Sequence, residues 1–173
     1  IGTYYYPLFG HRIKPFALGP IYIRWITNHP KDNFKQMTRQ QYETLYDTGL
    51  EKFSDNLGDN PAIDAFVERG GKLMIDHGID DPLIPVDGTL DYLQKVKEHF
   101  GGWKALDKFL RVYITPGDNH GNCQGNGPGL TESDGMRALM AWVEDGCVPE
   151  EMRKVRVDRK TGETLEEGME APF

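Results

Sequence analysis

Apolar positions along the chain change their spacing several times, and each change predicts an element. From Tyr42 onward, Leu45, Tyr46, Leu50 and Phe53 recur three and four residues apart, which predicts a helix over 39–53 with Thr38 as its N-cap. Gly58 ends that region. A short helix is expected next, with Asn60 as cap, Pro61 in the first turn, Ile63, Phe66 and Val67 on one face, and Gly70-Gly71 as the stop. The run 72–76 is short and apolar rather than alternating, as a parallel strand covered on both faces should be. Leu90, Leu93, Val96 and Lys97 mark a helix over 88–100. Leu106 and Phe109 lead into a second strand over 110–114. After a glycine-rich loop, 117–129, Thr131 or Ser133 caps a helix reaching Glu144, with Met136, Leu139, Met140 and Val143 expected to face inward and Gly146 as its end. The tail 154–164 reads as a polar surface hairpin around Lys160-Thr161-Gly162.

Helices alternating with buried strands imply an α/β fold with a doubly wound sheet. Residues 1 to about 37 behave differently: Tyr4, Tyr5, Tyr6, Phe9, Phe16, Tyr22 and Trp25 are scattered among prolines without a steady period, and irregular structure or a cap is expected there. The chain has 173 residues, 38% hydrophobic and 27% charged, enough for a sizeable core. A net charge of −7 without a Lys/Arg cluster argues against a nucleic-acid partner and favours a neutral or apolar small molecule. No apolar stretch approaches the roughly 18 residues of a membrane span, so no membrane partner is expected. The start Ile1-Gly2-Thr3 has neither an initiator Met nor a basic leader, and the natural N-terminus is expected elsewhere. Cys123 and Cys147 fit neither a disulfide scaffold nor a zinc spacing.

Both predicted strands run into turns that carry chemistry. The first continues through Asp76-His77-Gly78-Ile79-Asp80-Asp81-Pro82 and the second through Pro116-Gly117-Asp118-Asn119-His120. In open α/β sheets, ligands bind beyond the carboxyl ends of strands, and the order Asp then His is that of the last two members of a serine-hydrolase triad. A carboxylate on one turn could hold an imidazole on the next in a single tautomer and stabilise it when it accepts a proton. Asp80, Asp76 and Asp118 compete with Asp81 for the acid role. His77 is expected to be structural, and His11, His29 and His99 have no acidic partner at a useful sequence spacing. The first triad member is missing: Ser54 and Ser133 are the only serines, and neither lies in a Gly-x-Ser-x-Gly elbow.

Other chemistries fit less well. Asp76, His77, Asp80, Asp81, Asp118 and His120 could offer metal ligands, yet paired-His helix spacing and a calcium-loop signature are lacking, so no metal is expected. The run Gly125-Asn126-Gly127-Pro128-Gly129 lacks the Lys-Ser/Thr of a phosphate loop, and Pro128 removes a donor. A turn that lets the chain pass close to the histidine loop is expected there instead.

The run Ala62-Ile63-Asp64-Ala65-Phe66-Val67-Glu68-Arg69-Gly70-Gly71-Lys72-Leu73, then His77-Gly78 and Asp81-Pro82-Leu83-Ile84-Pro85, resembles the tannase and feruloyl esterase family of α/β-hydrolases. The resemblance continues through Pro116-Gly117, His120, Gly127-Pro128-Gly129, Ala141-Trp142-Val143-Glu144-Asp145-Gly146 and Pro149, and so covers about residues 58–150. That family hydrolyses carboxylic esters of aromatic acids, such as galloyl and feruloyl esters, and includes the hydrolase of mono(hydroxyethyl) terephthalate. The resemblance implies the C-terminal part of a doubly wound α/β-hydrolase sheet over 58–173, preceded over 1–57 by the end of a lid domain. It places the acid of a Ser-Asp-His triad on Asp81 and the base on His120, without metal or cofactor. It implies secretion or a periplasmic location.

Two departures from the family pattern follow. Members commonly carry Cys directly after the catalytic His, disulfide-bonded to a Cys before the catalytic Ser, whereas Gly121-Asn122-Cys123 follows His120 here. Cys123 is not expected to pair with Cys147, because a helix of about 12 residues at 1.5 Å each would hold them some 18 Å apart. The segment bearing the serine elbow and oxyanion donors is absent, so a partner segment or subunit is expected to supply it, and the chain alone is expected to be inactive. The alternatives are a non-catalytic α/β remnant or binding domain, and an α/β enzyme working through a metal or carboxylate. The esterase reading predicts Asp81 and His120 within ~3 Å of each other.

Overall fold

The computed structural model describes residues 4–5, 14–15, 18–28, 37–54, 58–120, 123 and 125–173. The chain divides into two compact units, Ile1–Gly58 and Asp59–Phe173. In the first, β1 (Tyr4–Tyr5) pairs antiparallel with β2 (Lys14–Pro15), and α1 (Leu18–Thr27) packs against α2 (Arg39–Phe53). A helix at 18–27 departs from the irregular structure expected there. Pro20 is third in α1, where its missing N–H would have had no intrahelical acceptor, and Ile23 and Ile26 are buried three residues apart. Tyr6, Phe9, Phe16, His11 and His29 lie outside the described residues.

Helix α2 has the expected bounds. Thr38 accepts from the Gln41 N–H at 3.2 Å and the Gln41 side chain accepts from the Thr38 N–H at 2.8 Å, a reciprocal capping box. Lys52, in its last turn, donates to the Ile26 carbonyl at 3.2 Å, supplying a partner to the C-terminal end of α1.

In the second unit, α3 (Asp64–Glu68) starts later than expected. Asn60 instead accepts from the Ala62 N–H at 3.0 Å, closing a turn that keeps Pro61 ahead of the helix. Strand β3 (Leu73–Gly78) leads through α4 (Val86–Phe100) and α5 (Trp103–Leu106) to β4 (Leu110–Thr115), which pairs parallel with β3. Next come β5 (Gly129–Leu130), α6 (Glu132–Asp145), β6 (Met152–Val157) and β7 (Thr164–Glu170), with order β5-β6-β7 in an antiparallel sheet. Thr131 caps α6 by accepting from the Asp134 N–H, and Gly146 ends it at φ 72°.

Strand β4 is covered on both faces, which accounts for its apolar run. Leu110 and Val112 join Leu93 and Val96 of α4 and Leu106 and Phe109 in one cluster. Tyr113 packs on the other face with Leu130, Met152, Met74 and Ala138 of α6. Each such buried Leu, Val or Met contributes about 1.5–3 kcal/mol relative to exposure. Two expectations need correction here. On α6 the buried residue is Trp142, with Arg111 over its ring at 5.3 Å, while Met136, Met140 and Val143 are exposed. The tail hairpin is not merely a surface feature, since Met152 and Val155 on its first strand, β6, are buried. His99 also has an acidic partner, Asp64, at 2.7 Å across 35 residues of chain.

Candidate active site

The β3–β4 register sets Gly78 opposite Thr115, so both strands end at the same level and their turns emerge side by side. Three residues past Gly78 stands Asp81, and five past Thr115 stands His120. Backbone bonds join the turns: Ile79 N–H donates to the Thr115 carbonyl at 3.1 Å and Asp80 N–H to the Asp118 carbonyl at 3.0 Å. Gly78 permits this approach, because a Cβ there would lie 2.5 Å from the Asn119 carbonyl oxygen and 2.6 Å from the Asp118 carbonyl carbon.

His120 Nδ1 and Asp81 Oδ2 are 2.7 Å apart. Asp81 is further fixed by Leu83 and Ile84, whose N–H groups donate to Oδ1 at 2.7 and 3.0 Å. Its side chain is 6% exposed, against 51% for His120, so the carboxylate sits behind an imidazole that faces out. Burial pushes the Asp81 carboxyl up, but the Ile84 N–H, the His120 ring and the Leu83 N–H together more than offset this and hold it below 3.8. An ionised Asp81 only accepts hydrogen bonds, so the proton between the two lies on His120 Nδ1 and Nε2 is left as the basic nitrogen.

The competing acids serve elsewhere. Asp80 joins the turns through its backbone N–H. Asp118 is 1% exposed, accepts from the Asn119 N–H at 3.0 Å, and fills the space where Gly129 would carry a Cβ. Burial raises its carboxyl pKa, and the same cause, with Asp118 nearby, raises that of Asp76 to about 6. Among the described residues, Asp81 is the carboxylate that hydrogen-bonds His120, and no group of three His, Cys, Asp or Glu side chains is arranged to hold a metal ion. The glycine loop folds back on the histidine turn, with Gly127 N–H donating to the Gly117 carbonyl at 2.8 Å.

Ser54 donates to the Glu51 carbonyl at 3.1 Å, and Ser133 meets Thr131 Oγ1 and accepts from Arg137, each at 3.3 Å. Both cysteines are free. Cys123 is buried, its thiol hydrogen-bonded to the Gly129 and Leu130 carbonyls at 3.2 and 3.1 Å, and burial beside Asp118 and Asp76 pushes its pKa up to about 11. His77 contributes more than its sequence context suggests: Nδ1 meets Thr89 Oγ1 at 2.7 Å and Nε2 meets the Ile84 carbonyl at 2.9 Å.

An acid and a histidine joined in this way occur on unrelated folds, and comparison with known proteins decides the lineage. The sequence profile described as tannase and feruloyl esterase matches residues 22–169. The chain belongs to the tannase and feruloyl esterase family. It is 30% identical over 156 residues to a probable feruloyl esterase of Arthroderma benhamiae, covering 89% of this chain and 29% of that protein. It is 32% identical over 129 residues to a tannase of Aspergillus oryzae, covering 68% and 22% respectively. The crystal structure of an esterase from Aspergillus oryzae superposes with a TM-score of 0.74 at 21% identity, over 92% of this chain and 34% of that one, a likeness of fold. The chain thus spans less than a third of the length of these curated relatives of the tannase and feruloyl esterase family. Its α/β architecture is a partial piece of theirs.

Proposed function

We propose that the chain is the C-terminal portion of a serine carboxylesterase for esters of aromatic acids, and that it supplies Asp81 and His120 to a triad whose serine lies on an upstream segment or subunit. The observation that carries this reading is the 2.7 Å contact between Asp81 and His120 beyond the ends of parallel strands. In this reading His120 Nε2 takes the proton of the serine hydroxyl as its oxygen attacks the ester carbonyl. The tetrahedral intermediate collapses, the C–O bond to the alcohol breaks, and the alcohol leaves with the proton held by His120. Water then repeats the sequence on the acyl-enzyme and releases the aromatic acid. Asp81 stays ionised throughout and stabilises the imidazolium; its lowered pKa supports that role. Residues 1–57 are assigned to the end of a lid domain, and the enzyme to a secreted or periplasmic setting.

The purified 173-residue chain is expected not to hydrolyse methyl ferulate or methyl gallate above the buffer rate. In a family-length protein carrying this chain, His120→Ala should lower kcat/KM on the order of 10³-fold or more while circular dichroism is unchanged. Robust turnover by the chain alone, or a His120→Ala enzyme within tenfold of its parent, would overturn the proposal.

A further inference from the structure

The Asp81 carboxylate is oriented by two N–H groups from a segment with little else to hold it. Residues 82–85 lie between β3 and α4, Leu83 and Ile84 are 37% and 54% exposed, and Pro82 and Pro85 have no N–H to donate. An exposed connection of this kind would ordinarily sample several conformations. Ile84, however, is held at both polar ends of its backbone: its N–H donates to Asp81 Oδ1 at 3.0 Å and its carbonyl meets His77 Nε2 at 2.9 Å.

We propose that His77 is a positioning residue for the Asp81–His120 pair, acting through Ile84 and itself set by Thr89. The inference rests on the triad reading above. A carbonyl only accepts, so His77 Nε2 carries the proton and donates to Ile84. Nδ1 of the neutral ring is then an acceptor and takes the hydroxyl proton of Thr89, at 2.7 Å. The chain of contacts runs from Thr89 in the first turns of α4, through His77 on β3 and the Ile84 peptide, to Asp81 and His120. Both His77 nitrogens are occupied, which leaves the ring no free base and separates its role from that of His120. The arrangement also explains why a histidine stands here rather than a larger apolar residue: the rigid ring spans from helix to loop with a donor at one edge and an acceptor at the other.

The test uses nitrogen-15 NMR of the 173-residue chain, reading the His120 ring tautomer and the exchange rate of the Ile84 amide. In the parent chain His120 should be protonated at Nδ1. His77→Leu should speed Ile84 exchange roughly tenfold, as loss of one hydrogen bond allows, and shift His120 toward the Nε2–H tautomer. His77→Gln, which can still donate to the Ile84 carbonyl, should restore most of both. Thr89→Val should produce a smaller change in the same direction. Unchanged exchange and tautomer in a folded His77→Leu chain would overturn the proposal; if that variant fails to fold, an unchanged Thr89→Val chain would do the same. A parent chain with His120 protonated at Nε2 would instead count against the triad reading, and the Ile84 exchange would still report on His77 independently.

Discussion

Replacing Gly78 by alanine tests whether the two turns are held together as tightly as the distances indicate. The added Cβ would stand 2.5 Å from the Asn119 carbonyl oxygen, where ordinary contact begins at 3.4 Å, so the histidine turn must retreat by nearly 1 Å. The obstacle is backbone, which cannot swing aside as a side chain would. Overpacking of this kind costs about 1–3 kcal/mol. A 1 Å retreat also stretches the 3.0 Å bond from Asp80 N–H to the Asp118 carbonyl beyond useful length, adding about 1 kcal/mol. A total destabilisation of about 2–4 kcal/mol is expected, read from native-state exchange of the Val112 and Tyr113 amides in the core of the second unit. Gly88 is the control: it lies inside α4 with nothing within 4 Å of its would-be Cβ, so Gly88→Ala should stabilise by about 0.4–1 kcal/mol. Gly78→Ala within 0.5 kcal/mol of the parent, with the Asp81–His120 contact intact by NMR, would refute the reasoning.

The acidic groups and thiols give two further expectations. Asp76, raised to about 6 from 3.8, is charged at neutral pH only against a resisting environment, so its stability contribution is largest below 3.8 and is lost as pH rises toward 6. Asp76→Asn should therefore stabilise the chain at pH 7.5, by about 1 kcal/mol or less because part of the residue still meets solvent although its carboxyl is partly desolvated, and have no effect at pH 3.5. The same amide exchange measures it, and an equal effect at both pH values would count against it. For the thiols, Cys147 is exposed while Cys123 is buried with its pKa pushed up to about 11. Iodoacetamide at pH 8 should label Cys147 alone in the native chain and both in denaturant by mass spectrometry; rapid native labelling of Cys123 would contradict its placement.

How far the fold can be read from the sequence depends on how local the cause is. Helix α2 is recognisable because Thr38 and Gln41 form its start by themselves, three residues apart in the chain and independent of packing. Helix α1 is not, since Gly19-Pro20 reads as a breaker until it is known that Pro20 falls in a first turn. On α6 the extent could be read but the buried side could not. Its apolar residues form two arcs, one through Ala138 and Trp142 and the other through Met136, Met140 and Val143, and only the sheet beneath selects the first. Similarly, nothing in the spacing of Asp64 and His99 announces their contact across α3 and α4, because it depends on how those helices are placed in the fold.

The candidate site shows the same division at finer scale. The types and order of its groups stand in the sequence as two turns, one with acids and one with a histidine, but composition alone leaves Asp76, Asp80, Asp81 and Asp118 as rivals. Backbone geometry separates them. Asp76 is still in the strand, Asp80 joins the other turn through its N–H, and Asp118 is enclosed beneath Gly129, so Asp81 is left where Leu83, Ile84 and His120 converge. Bonds between main-chain groups carry no residue signature of their own; what they leave in the sequence is the glycine that lets two chains approach and the prolines that have no N–H to give away. Gly78, Pro82 and Pro85 therefore shape the candidate site as much as the carboxylate they surround, because a carboxylate oriented by loop amides is only as well placed as the loop, and the loop is only as well placed as the backbone against which it rests.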